Sequence, residues 1–156
     1  MIAIAVDDEQ LMLRALVKAV GSSPDITSVT GFSNCEEALE FVENNIIDVA
    51  FLDINMRGMG GLALAERITS YLPNCKIIFC TGYEEYAIAA FKLHASGYLL
   101  KPISASDVQV EIDNINGWDY VLITNKCFCS FTKVPFWAKK VSFWASFLGK
   151  KKIKCA

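Results

Sequence analysis

The chain has little of what zinc proteins and disulfide-stabilised proteins rely on. Its 156 residues include one histidine, and none of the six cysteines forms a C-x-x-C pair. This inventory is poor for a zinc site. We expect Cys35, Cys75 and Cys80 to be reduced and to pack as small apolar residues. Cys127 and Cys129, two positions apart, are only a weak metal or redox signal.

Long apolar runs are also missing. No stretch reaches the roughly 18 unbroken apolar residues typical of a membrane-spanning helix. The amino terminus lacks a basic segment, and Asp7, Asp8 and Glu9 interrupt it too early for a secretory signal. The sequence therefore predicts a cytoplasmic protein. A hydrophobic content of 53% indicates a folded chain rather than a disordered one.

Basic residues are scarce over most of the chain and concentrated at its end. Residues 1–118 carry 7 basic and 16 acidic side chains, whereas residues 119–156 carry 8 lysines and a single aspartate. Such asymmetry between segments indicates two functional parts. We predict one domain over residues 1–117 and a separate basic, aromatic tail over residues 118–156.

Short apolar runs alternate with helical patterns throughout residues 1–117. The predicted strands cover residues 2–6, 27–32, 48–53, 76–80 and 98–100. Helical spacing of apolar residues follows each of them, with the fourth helix over about 83–93. Capping boxes are predicted at Ser33 with Glu36 and at Ser106 with Gln109, and Gly117 is predicted to end the last helix.

This alternation predicts an α/β fold. Five strand–helix units imply a parallel sheet with helices on both faces. Right-handed crossovers then favour a doubly wound, five-stranded sheet of flavodoxin-like order 2-1-3-4-5. In that order the first and third strands are neighbours, so the residues that follow them should lie close together.

Polar residues follow four of the predicted strands directly. Ligands bind outside the carboxyl ends of strands in such sheets, and the residues at these ends are Asp7, Asp8, Asp53, Thr81 and Lys101. Converging carboxylates repel one another unless a cation compensates them, and Mg²⁺ with oxygen ligands is the natural choice. Such a site suits a carboxylate nucleophile that forms an aspartyl-phosphate, with the metal and a lysine neutralising charge on the phosphoryl group.

Several motifs in this order and spacing resemble the receiver domain of bacterial two-component response regulators. They are VDDE at 6–9, FLDINM around Asp53, TGYEEYA at 81–87 and YLLKP at 98–102. The resemblance covers about residues 1–116. It implies a phosphoacceptor, Asp53, with Mg²⁺ held directly by Asp8, through water by Asp7, by Asp53 itself and by the backbone carbonyl of Asn55.

The resemblance also implies a conformational switch. Thr81 and Tyr98 would be the switch pair, with the aromatic ring turning inward when Thr81 moves toward the phosphoryl group. Lys101 would bind that group, and the Lys101–Pro102 peptide bond would be cis. The sequence departs from the family's usual pattern at Arg57, where proline is common.

The expected function is therefore that of a phosphoacceptor in signal transduction rather than of an enzyme with its own substrate. A partner histidine kinase would phosphorylate Asp53, and the domain would catalyse at most its own phosphoryl transfer and dephosphorylation. The subclass that this sequence resembles usually carries a DNA-binding effector of LytTR or SARP type, which suggests transcription regulation. A homodimer could form through the fourth helix, fifth strand and fifth helix.

Two other functions remain open from the residues. One is a pseudo-receiver that binds partners without phosphorylation. The other is a Mg²⁺-dependent, phosphatase-like enzyme that uses an aspartyl-phosphate. Asn55 stands where such an enzyme would need a second aspartate as general acid, so this alternative lacks one of its catalytic groups.

The tail permits several interpretations. A remnant of an effector domain is one of them. The apolar spacing of Trp137, Val141, Trp144 and Leu148, with lysines around it, also fits a basic amphipathic helix. Such a helix could contact a membrane surface, an acidic partner or nucleic acid, although no DNA-binding motif is recognisable.

Overall fold

A computed structural model of the chain describes residues 1–83, 86, 90 and 92–123. Within them, five strands form one sheet in the order β2-β1-β3-β4-β5. The strands are β1 (Ile2–Val6), β2 (Ser28–Phe32), β3 (Val49–Leu52), β4 (Lys76–Thr81) and β5 (Gly97–Leu100). The helices are α1 (Gln10–Gly21), α2 (Cys35–Asn44), α3 (Gly61–Tyr71) and α4 (Ala105–Ile123). The predicted helix over 83–93 lies largely outside the described residues.

The sheet register brings the ends of β1 and β3 together. All four neighbouring pairs are parallel, and Val6 of β1 lies between Phe32 of β2 and Leu52 of β3. The ladder extends one residue further, because the Asp53 N–H donates to the Val6 carbonyl at 2.9 Å. The predicted doubly wound α/β fold with order 2-1-3-4-5 is confirmed.

Each face of the sheet carries its own hydrophobic core, as the alternation along β1 shows. Ile4 and Val6 belong to the core under α2 and α3. Ala3 and Ala5 belong to the core under α1 and α4. Because the inward positions of β1 on both faces are apolar, this strand reads as a continuous apolar run. The four helices also supply buried apolar side chains to these cores, among them Leu13, Leu16, Val20, Ala38, Val42, Leu64, Ile68, Val108, Ile112 and Ile115.

The beginning of α2 lies one residue later than predicted. Asn34, not Ser33, is the N-cap, and its side-chain oxygen accepts a hydrogen bond from the Glu37 N–H at 2.8 Å. Cys35 is buried in the first turn of the helix. The turn therefore starts at Cys35, and the side chain that reaches the third helical N–H is that of Asn34.

The beginning of α4 lies two residues earlier than predicted. Ser104 caps the helix, since its hydroxyl accepts from the Asp107 N–H at 3.3 Å and the Asp107 carboxylate accepts from the Ser104 N–H at 2.9 Å. This is a capping box with aspartate in place of glutamate. The box predicted at Ser106 and Gln109 is wrong, because Gln109 is engaged elsewhere and accepts a hydrogen bond from the Ser23 hydroxyl at 2.7 Å.

Gly117 does not end the last helix. Helix α4 continues through it to Ile123. A glycine within a helix costs only about 1 kcal/mol relative to alanine, so a single glycine is a weak stop signal.

The chain divides into two units, Met1–Asp119 and Tyr120–Ala156. The second unit lies beyond the described residues except for its first few positions, so the predicted tail over 118–156 and its amphipathic helix stay predictions. In the part of the chain that the structure describes, no helix combines the length and apolar character of a membrane span.

The described cysteines behave as small core residues. Cys35, Cys75 and Cys80 are buried and free, as predicted. Burial raises the pKa of Cys35 to about 11 and that of Cys75 to about 12. These thiols are therefore unreactive at neutral pH. Cys127 and Cys129 lie outside the described residues.

Candidate functional site

Three carboxylates converge at the carboxyl ends of β1 and β3. Asp7 and Asp8 follow β1, and Asp53 follows β3. One carboxylate oxygen from each lies within 4.8 Å of the other two. Asp7 is fully buried and Asp53 is 6% exposed, so water screens the charges of these two carboxylates poorly. The convergence predicted from the strand order is confirmed.

Backbone donors orient two of these carboxylates. The Glu9 N–H donates to Oδ1 of Asp7 at 2.9 Å. The Arg57 N–H donates to Oδ2 of Asp8 at 3.2 Å, and the Nε of Arg57 lies 3.8 Å from the same oxygen. The loop after β3 therefore returns to the end of β1 and holds the Asp8 carboxylate.

Lys101 is the ammonium group at the centre of the cluster. Its Nζ lies 2.7 Å from Oδ2 of Asp7 and 3.3 Å from Oδ1 of Asp53. The Lys101 N–H donates to the Thr81 carbonyl at 2.9 Å, which extends the pairing of β4 and β5. The Lys101–Pro102 peptide bond is cis, as expected.

Burial and charge shift the pKa of both central groups upward. Burial raises the pKa of Asp53 above its ordinary value, Asp7 adds to this effect, and Lys101 opposes it. Burial alone would lower the pKa of Lys101. Its hydrogen bond to Asp7 and the charges of Asp53 and Asp7 outweigh burial, so the pKa of Lys101 is raised. The ammonium therefore stays protonated beside a carboxyl group that resists ionisation.

Thr81 and Tyr98 both contact Tyr83. Thr81 is fully buried at the end of β4, and its hydroxyl accepts a hydrogen bond from the Tyr83 N–H at 3.4 Å. Tyr98 lies on β5 opposite Phe79 of β4 and packs in part against the core. Its hydroxyl donates to the Tyr83 carbonyl. The two predicted switch residues are thus connected through the backbone of one residue.

Asn55 lies in the loop after β3, two positions beyond Asp53, and is exposed. The role of its backbone carbonyl as a ligand of Mg²⁺ stays a prediction.

Sequence reasoning assigned no role in the site to Gly61, and the structure shows that this position matters. A Cβ at this position would lie 1.9 Å from the carbonyl oxygen of Asp53. The Gly61 N–H donates to the Ile54 carbonyl at 3.0 Å. Only glycine permits α3 to begin this close to the backbone of Asp53. Two adjacent glycines before a helical pattern were the available signal.

The donor set fits a hard divalent cation. The cluster offers three carboxylates, which are oxygen ligands of the kind Mg²⁺ prefers. Lys101 contributes one positive charge to two of them, which leaves an excess of negative charge for a dication to neutralise. Asp53 also lies within reach of an ammonium, the arrangement that a phosphoryl-accepting carboxylate requires.

Comparison with known proteins agrees with this geometry. The family model of the response regulator receiver domain matches residues 3–113. An uncharacterised response regulatory protein of Vibrio cholerae is 39% identical over 67% of this chain and 40% of its own length. The positive alginate biosynthesis regulatory protein of Pseudomonas aeruginosa is 37% identical over 67% of this chain and 43% of its own length.

A solved structure gives the same result. The response regulator protein TrrA of Thermotoga maritima is 25% identical, with a TM-score of 0.65 over 73% of this chain and 97% of that chain. The chain spans about two fifths of the length of the two curated relatives named above, so the likeness concerns their receiver portions. On the family match over most of its length, the chain belongs to the response regulator receiver domains of two-component signal transduction.

Proposed function

We propose that Asp53 is the phosphoacceptor of this receiver domain and that a partner histidine kinase is its donor. The observation that supports this most directly is the position of the Asp53 carboxylate. It lies 3.3 Å from the ammonium of Lys101 and within 4.8 Å of the carboxylate oxygens of Asp7 and Asp8. No other described group of acidic side chains has this arrangement around a buried lysine contact.

The transfer itself is a displacement at phosphorus. A carboxylate oxygen of Asp53 attacks the phosphorus of the donor's phosphohistidine, so a P–O bond forms while the P–N bond breaks. The electron pair of that bond stays on the imidazole. Lys101 lies where its ammonium can move from the Asp53 carboxylate onto the oxygens of the transferred group.

Asp7, Asp8 and Asp53 would hold Mg²⁺, together with the backbone carbonyl of Asn55. When bound, the ion neutralises charge on the phosphoryl oxygens. The related protein TrrA was crystallised in complex with Mg²⁺–BeF, which supports a metal at the corresponding acidic cluster.

Phosphorylation would reach the surface of the domain through Tyr83. The Tyr83 N–H donates a hydrogen bond to the Thr81 hydroxyl. If that hydroxyl turns toward the phosphoryl group, this hydrogen bond breaks. The Tyr98 hydroxyl is bonded to the carbonyl of Tyr83. Movement of Thr81 would therefore shift the Tyr83 backbone to which the Tyr98 hydroxyl is bonded, and the Tyr98 ring would turn inward with it.

The downstream action is proposed from the relatives, one of which is a regulatory protein of alginate biosynthesis. We infer a cytoplasmic regulator linked to transcription, with DNA contact only through a functional effector segment. Phosphorylation would promote dimerisation through the face formed by residues 83–93, β5 and α4. The tail over 118–156 would contact a membrane only if its basic aromatic segment is functional.

Intact mass spectrometry after incubation with acetyl phosphate and Mg²⁺ tests this function. We expect one added phosphoryl group on the full-length chain. Asp53→Asn should prevent the addition, whereas Asp113→Asn, a matched change on the exposed surface of α4, should not. Chelation of the metal with EDTA should also prevent it.

A folded wild-type protein that takes up no phosphoryl group from acetyl phosphate or from a phosphorylated kinase would contradict the proposal. That result would favour a pseudo-receiver that acts only as a binding module. Release of free phosphate from a range of phosphate esters, faster than from acetyl phosphate, would instead favour the phosphatase-like alternative.

A further inference from the structure

The positive charges at the acidic cluster are divided between two side chains. Lys101 contacts Asp7 and Asp53, at 2.7 Å and 3.3 Å. Among the described ion pairs, Asp8 is paired with Arg57 instead. The three carboxylates therefore have two cations, one within the cluster and one on its rim.

Arg57 contacts a single oxygen of Asp8 in two ways. The backbone N–H of Arg57 donates to Oδ2 of Asp8 at 3.2 Å, and the side-chain Nε of Arg57 lies 3.8 Å from the same Oδ2. The side chain of Arg57 is 98% exposed, whereas that of Asp8 is 22% exposed. The guanidinium is thus held over the cluster by charge rather than by packing.

We propose that Arg57 is a tethered counter-ion of the metal site, which covers the Asp8 carboxylate when Mg²⁺ is absent and competes with Mg²⁺ for it. This inference rests on the proposed function, because it takes Asp8 as a ligand of the ion. Arg57 acts through Asp8, and none of the described ion pairs or hydrogen bonds joins it to Asp53.

The competition follows from the shared Asp8 carboxylate. A guanidinium and a divalent cation on the same carboxylate repel each other, so each weakens the binding of the other. Displacing the guanidinium is easy, since an exposed side chain loses no packing when it returns to water. The backbone N–H of Arg57 can remain on Asp8, so the carboxylate keeps its orientation after the side chain leaves.

The expected size of the effect is modest. Exposed ion pairs typically shift an equilibrium by about two- to fivefold, and salt screens them. Arg57 should therefore weaken the apparent affinity for Mg²⁺ by about that factor at low ionic strength. At high ionic strength the effect should vanish.

Calorimetric titration of the full-length apo protein with MgCl₂ tests the proposal. We expect Arg57→Gln to bind Mg²⁺ about two- to fivefold more tightly than the wild type at low ionic strength, and equally at high ionic strength. Arg57→Lys keeps the positive charge, so its affinity for Mg²⁺ should lie between those of the wild type and Arg57→Gln. Arg67→Gln, which removes an exposed charge from α3, should leave the affinity unchanged.

The guanidinium itself provides a second measurement. In the wild type, the Nε–Hε resonance of Arg57 should shift during the Mg²⁺ titration and saturate with the metal. Unchanged affinity in Arg57→Gln, or an equal change in Arg67→Gln, would overturn the proposal. Weaker binding by Arg57→Gln would also overturn it and would mean that Arg57 orients Asp8 for the metal.

The outcomes separate this inference from the function on which it rests. A wild type that takes a phosphoryl group on Asp53, with Mg²⁺ affinity insensitive to Arg57, contradicts only the counter-ion role. A folded wild type that binds no Mg²⁺ contradicts both proposals.

Discussion

Two regions of this domain bury acidic side chains, and they do so differently. At the carboxyl edge of the sheet, Asp7 is fully buried and Asp53 is 6% exposed, and both contact Lys101. Beneath β5, Glu111 of α4 is 4% exposed. Its Oε2 has no hydrogen-bond partner among the described residues.

The difference shows two ways of accommodating a buried carboxyl group. At the edge of the sheet burial raises the pKa of Asp53, but the charge of Lys101 opposes this rise and favours the carboxylate form that a nucleophile needs. Under β5 no cation is present in the described contacts, and burial raises the pKa of Glu111, opposed only by Asn114. The raised pKa favours the protonated form of Glu111, and a protonated carboxyl group cannot act as a carboxylate nucleophile.

The packing beneath β5 also depends on a small neighbour. A Cβ on Gly97 would lie 2.7 Å from Oε2 of Glu111. The carboxyl group therefore fills the space that a side chain on β5 would otherwise occupy, which is a structural role. The carboxylates at the edge instead converge on one another and on Lys101, the arrangement on which the proposed phosphoacceptor site depends.

The largest effect is expected from removing the cation that distinguishes the two regions. Lys101→Met should slow phosphorylation of Asp53 by acetyl phosphate by about 10²- to 10³-fold, because the charge that stabilises the phosphoryl oxygens is lost. The rate of mass increase measures this change. Lys18→Met, on the exposed side of α1, is the control, and a wild-type rate in Lys101→Met would show that the ammonium is dispensable.

The next effect concerns the close approach of α3 to Asp53. Gly61→Ala should lower the free energy of unfolding by about 3 kcal/mol, since a Cβ would overlap the Asp53 carbonyl and the backbone must move. Urea unfolding measures the loss.

Gly60→Ala is the matched control for this substitution. Gly60 has φ −71°, and its Cβ would lie 3.4 Å from the Ile54 carbonyl, so we expect a much smaller loss. Equal losses in the two variants would mean that the contact at Gly61 is not limiting.

A smaller effect should reveal the protonation of Glu111. The folded pKa lies above the unfolded value, so the folded protein binds more protons and its stability falls as pH rises from the unfolded pKa through the folded one. The loss is about 1.4 kcal/mol for each unit of difference between the two values. Glu111→Gln should remove this slope and should be more stable than the wild type at neutral pH.

Urea unfolding of the wild type and Glu111→Gln across the acidic and neutral range measures the slope. Glu66→Gln, an exposed change on α3, should leave it in place. A wild-type slope retained in Glu111→Gln would show that Glu111 is ionised in the folded state.

The smallest effect lies at the start of α4, the helix that carries Glu111. Ser104→Ala should cost about 1 kcal/mol of unfolding free energy through loss of the N-cap. Ser106→Ala should cost clearly less, because it lies inside the helix. Thermal unfolding of both variants decides which serine is the cap.

The sequence predicts the convergence of these polar residues well, because each of them directly follows an apolar run. Asp53 and Thr81 needed only the strand pattern and the rule on sheet order to be placed at one edge. The helix starts were less predictable. Ser33 and Asn34 are both good caps, and so are Ser104 and Ser106, so propensity alone cannot choose within two residues.

Close contacts between distant segments were beyond the sequence. The overlap that Gly61 avoids depends on where the backbone of Asp53 lies after folding. The sequence contains one indication that Glu111 is buried, because this residue lies at helical spacing between Val108 and Ile115. Its charge argued for exposure, and only the space left by Gly97 on β5 explains why it is inside.

The position of each strand in the sheet has a consequence for which parts of the domain open locally. Within the described residues, β1 and β3 each have partners on both sides, whereas β5 pairs with β4 alone. Amide protons of β1 and β3 should therefore exchange with solvent only on global unfolding, and those of β5 through smaller openings. Asp7 and Asp53 then follow the strands expected to exchange most slowly, whereas Tyr98 lies on a strand expected to open more readily.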